Sequence, residues 1–126
     1  MSHWINYSIE RHVLAVLDVA QANSAHHFFG RPFLTAYQLA IGVHEREPRL
    51  PAAMSNDLGG VGVERTRSFA RYLANELSKR IKADSAFPVE GRYLSAVYQQ
   101  SLEYSVGGTT ITSSKQDEVS MFRLRH

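Results

Sequence analysis

The sequence predicts an α+β fold in a single 126-residue domain, with three helices over 1–83 and an antiparallel β-hairpin or meander over 84–126. Three observations predict it. Apolar residues recur at three- and four-residue spacing in three separate segments of the first two thirds. Past residue 100 the period changes to alternation, on both sides of Gly107-Gly108. Hydrophobic content of 44% with 21% charged residues is that of a chain able to bury one modest core.

The first helix is expected over 9–21, with Ile9, Val13, Leu14, Val16, Leu17 and Ala20 on one apolar face and Ser8 as its N-cap. A compact connection follows, broken by Gly30 and Pro32 and carrying Phe28, Phe29 and Phe33. Thr35 and Gln38 have the spacing of a capping box, so a second helix starts there and runs to about Glu45. Pro48 ends it. Residues 48–62 hold two prolines and Gly59, Gly60 and Gly62, which reads as a flexible connection longer than an ordinary helix–helix turn.

The third helix is expected from about Glu64 to Lys82. Thr66, Phe69, Ala70, Leu73, Ala74, Leu77 and Ile81 fall on one stripe of it, with Arg67, Ser68, Arg71, Tyr72, Asn75, Ser78, Lys79 and Lys82 opposite. Residues 87–91 read as a connector, and 92–98 fit either a short helix or a strand. Leu102, Tyr104 and Val106 alternate with polar residues before the two glycines, and Thr109–Thr112 is β-rich after them. Val119–Leu124 reads as a third strand that could shield one edge of this hairpin.

Charge is the most directed signal. Residues 65–82 carry Arg65, Arg67, Arg71, Lys79, Arg80 and Lys82 against Glu76 alone, a formal charge of +5. The chain as a whole is only +2, so both flanks are slightly acidic. A field concentrated in this way points to an anionic partner, and phosphate is the usual one. The helix dipole explains Lys79, Arg80 and Lys82 near a C-terminus, but it disfavours Arg65, Arg67 and Arg71 near an N-terminus.

On that reading Arg65, Arg67, Ser68 and Arg71 face duplex DNA from the first turns. Asn75 follows one turn later, able to read adenine as arginine reads guanine. Lys79 and Lys82 would meet phosphates, and Tyr72 would stack on a base or ride against a ribose. The Gly-rich stretch matches no nucleotide-binding fingerprint, although Arg65 and Arg67 with the amides of 59–62 could hold a phosphate.

The order helix, helix, basic helix, hairpin resembles the winged-helix branch of the helix-turn-helix superfamily. The resemblance covers most of the chain as architecture. It implies a third helix in the major groove and a wing against the backbone, with Gly107, Gly108 and Lys115 projecting. The connection at 48–62 departs from the short turn of that superfamily. The expected protein is therefore a small DNA-binding transcriptional regulator, cytoplasmic and homodimeric, without cofactor or metal.

Two rivals remain. One is a small ribonuclease or other phosphodiester-directed enzyme, with His26 or His27 moving protons and Arg31 stabilising charge. The other is an interaction or immunity-type protein whose basic helix docks an acidic partner. The absence of cysteine excludes disulfides, cysteine-ligated zinc and thiol catalysis. His44 and Glu47 could share a helix face as metal ligands, but no third ligand is identifiable. No stretch has the length of a membrane span, and Met1-Ser2-His3-Trp4 does not open a signal peptide.

Overall fold

The helices form where apolar spacing meets a workable start signal. The computed structural model describes residues 2–19, 30–99, 101–113 and 119–125. A short helix, α1 (His3–Asn6), buries Trp4. Ser8 then turns the chain in the left-handed region at φ 51, rather than in the extended geometry of an ordinary N-cap. Helix α2 (Ile9–Val19) buries Ile9, Val13 and Leu17, spaced four apart.

Strand β1 (Leu34–Thr35) is only two residues long, and it runs straight into α3 (Ala36–Arg46). Thr35 closes the expected capping box: the Gln38 amide donates to its hydroxyl at 3.2 Å, and its own amide donates to the Gln38 side-chain oxygen at 2.8 Å. Gly42 lies inside α3 because α2 leaves no room for more. A Cβ there would sit 2.6 Å from Val16 Cγ1.

The connection at 48–62 is built into the fold. Leu50 and Met54 are buried, the latter at the end of a 3-10 turn, Ala52–Met54. The chain then runs beside the start of the basic helix. That helix, α4, spans Phe69–Ala83 and starts five residues later than the periodicity suggests. Arg65–Arg67 form a separate 3-10 turn, and Ser68 caps α4 by accepting from the Arg71 amide at 3.2 Å. The Phe69 and Ala70 amides donate to the carbonyls of Asp57 and Leu58. Helix α4 buries Phe69, Ala70, Leu73 and Leu77.

The sheet is antiparallel, in the order β1-β5-β2, with β2 at Val89–Leu94 and β5 at Val119–Leu124. Residues 89–91, expected as a connector, are therefore strand, and 92–94 are strand rather than helix. The central β5 places Phe122 opposite Leu34 on one side and Gly91 on the other.

The hairpin forms as expected from β3 (Glu103–Val106) and β4 (Thr109–Thr112). Gly107 and Gly108 both have positive φ, 52 and 85, as a type I′ turn requires. Tyr104 stacks on Tyr37 of α3 with ring centres 5.3 Å apart. The third strand does not shield this hairpin, because β5 pairs with β1 and β2 in the other sheet.

His12 is a buried titratable group. His12 is 7% exposed, and its Nδ1 has no hydrogen-bond partner among the described residues. Burial lowers its pKa; Arg11 and Arg46 lower it further, and Glu47 opposes them. The folded protein thus holds a neutral ring, while the unfolded chain takes a proton as pH falls below about 6.5. The stabilisation is full above that pH and is lost as pH falls through the lower folded value. Melting from pH 7.5 to 5 should show this loss. His12→Gln should flatten it, and an equal fall in the variant would reject the assignment.

Candidate nucleic-acid interface

Burial of one side of α4 fixes what the other side presents. Asn75, Ser78, Lys79 and Lys82 are exposed, and Arg71 is half-buried one turn before Asn75. Arg67 is exposed on the 3-10 turn that precedes the helix, so it does not share a helix face with Arg71. Arg71 and Asn75 border a depression of about 240 Å³, together with Asn56, Thr66, Ser68 and Tyr72.

The acid in this segment is neutralised locally. Glu76 is bridged by Lys79 at 3.2 Å and by Arg80 at 3.6 Å. The Arg80 guanidinium also lies 4.2 Å over the Trp4 ring, so its charge belongs to the α1–α4 contact.

Two expected contact residues have structural duties. Ser68 is buried, and its hydroxyl serves as the α4 cap, which explains why a polar residue stands there. Tyr72 packs parallel to Phe69 with ring centres 6.2 Å apart, and its hydroxyl is buried, which raises its pKa. Its ring edges the core instead of standing on the outward strip. The main chain of Arg65 lies in the 3-10 turn. Lys115, His26 and His27 lie outside the described residues.

A phosphate at the start of α4 would find its amides taken. Phe69, Ala70 and Arg71 all donate within the protein, and the Val61 amide donates to the Thr112 carbonyl at 2.8 Å. The metal pair dissolves in the same way. His44 Nδ1 contacts the Leu50 carbonyl at 2.5 Å, and Glu47 pairs with Arg49 at 3.0 Å. Hydrogen bonds from Arg49 lower the Glu47 pKa to about 2. Among the described residues no three His, Cys, Asp or Glu side chains gather as ligands. Arg31 pairs with Asp18 at 3.2 Å. No described helix is long and apolar enough to cross a membrane.

Arg92 and Tyr93 are additions that the sequence does not disclose. They line a groove with Ser78 and Lys82 of α4, and reading them requires knowing that 89–94 is a strand beside that helix. Compared with known protein families, curated proteins and solved structures, the chain finds no match.

Proposed function

We propose that the protein binds duplex DNA through the outward side of α4. One observation carries the reading: Arg71, Asn75, Ser78, Lys79 and Lys82 run along that side, and the one acid of the helix is held by Lys79 and Arg80. An α-helix fits the major groove, arginine can grip guanine through two bonds, asparagine can do the same with adenine, and lysines neutralise phosphates.

The element order supports a winged-helix arrangement. Among the described residues two helices, a short strand, two more helices and four strands follow one another, with the short strand pairing with the last. In that arrangement α4 is the recognition helix. The wing is then the β2–β5 pair with the β3–β4 hairpin carried in its connection, instead of that hairpin alone. A regulatory role in transcription, a homodimer and a cytoplasmic location belong to the same reading.

The test is anisotropy titration of a labelled random duplex at several salt concentrations. With about three phosphates neutralised, by Arg71, Lys79 and Lys82, log affinity should fall against log salt with a slope of roughly −3. Absence of binding at low salt would reject the proposal.

A further inference from the structure

The outward strip does not end at Lys82. A groove of about 260 Å³ lies between the C-terminal half of α4 and β2. Ile81, Gly91 and Phe122 supply its apolar members. A Cβ on Gly91 would come within 3.3 Å of the Phe122 ring and 3.4 Å of Ile81, so the strand lies close to both and a side chain there would fill part of the groove. Ser78 and Lys82 line it from the helix, and Arg92 and Tyr93 from the strand.

We propose that this groove seats the sugar–phosphate backbone of the bound duplex, with one phosphate between Lys82 and Arg92 and the Tyr93 ring against the adjoining sugar. The inference rests on the DNA-binding reading and extends it to the sheet. Charge selects the occupant. Among the described residues no acid lines the groove, and the two cations that do, Lys82 and Arg92, come from different elements. Among the described residues neither has an ion-pair partner, while nearby Glu90 is committed to Arg123 and Arg125. One bond from Arg92 Nη1 to the Gly91 carbonyl, at 2.7 Å, holds the guanidinium along the strand.

Length selects the position. Arg71 to Lys82 covers about 16 Å of helix axis at 1.5 Å per residue. The major groove is about 12 Å wide. A helix crossing it with Arg71 and Asn75 among the bases therefore carries Lys82 out over the backbone. Tyr93 is 66% exposed at this point, an amphipathic ring suited to lie on a sugar.

Because both cations would meet phosphate, their removal should act equally on every sequence. Wild type, Lys82→Gln/Arg92→Gln and Lys82→Arg/Arg92→Lys would be titrated with random duplex across salt, with melting temperatures measured alongside. The glutamine pair should melt like wild type and bind more weakly, with a salt slope shallower by about two. The charge-conserving pair should keep the wild-type slope. An unchanged slope in the glutamine pair would overturn the inference while leaving DNA binding by α4 intact. Failure of wild type to bind duplex would overturn both.

Discussion

Phe122→Ala should lower stability by about 3–5 kcal/mol, the usual cost of removing a buried phenylalanine. Domains of this size hold only about 5–15 kcal/mol in total, so much of the chain would unfold at physiological temperature. Phe122 is 2% exposed on the central strand, between Leu34 of β1 and Gly91 of β2. Its ring lies where β2 faces Ile81 of α4. Losing it would open a cavity at the junction of helix and sheet, and the neighbouring glycine offers no side chain to fill that space. Trp4, the one tryptophan, is 4% exposed and reports unfolding by fluorescence. Urea titration of Phe122→Ala and Phe122→Leu would measure the loss, with leucine costing less. A midpoint close to wild type for alanine would show that the sheet is not anchored through this ring.

That junction leaves the weakest signal in the sequence. The helices declare themselves where one face is purely apolar, as with Ile9, Val13 and Leu17, and where a reciprocal cap marks the start, as with Thr35 and Gln38. The hairpin declares itself because two adjacent glycines permit the positive φ values that its turn needs. Strands β2 and β5 carry no such signal. Pro88 and Gly91 resemble a connector, and the partner strand lies about thirty residues away. Strand β1 is too short to show any period.

The start of α4 misleads for a different reason. Thr66 continues the apolar spacing, but Ser68 and the carbonyls of Asp57 and Leu58 take the first amides of the helix three residues later. Polar identity alone does not tell a cap from a contact, which is why Ser68 reads as both. Tyr72 misleads because its hydroxyl is polar while its ring is apolar, and projection alone does not reveal that the ring packs against Phe69. Charge was the most legible feature of the site, although Arg80 and Lys79 spend part of theirs on Glu76 and Trp4.

Arg67→Ala/Arg71→Ala should weaken duplex binding far more than it weakens the fold. Arg67 stands exposed on a turn, where substitutions cost within about 0.5 kcal/mol of stability. Arg71 occupies the first turn of α4, where the dipole disfavours a cation. Each contact that reads a base should cost about 1–3 kcal/mol on removal, or roughly 5- to 150-fold in affinity. The two sites should differ in kind. Arg71 shares its depression with Asn75, so Arg71→Ala should erase preference among sequences as well as affinity. Arg67→Ala should weaken all sequences alike if it meets phosphate. Competition between a selected site and random duplex separates these outcomes at fixed salt. An unchanged dissociation constant for the double variant, with its melting temperature intact, would place DNA somewhere other than on the N-terminal half of α4.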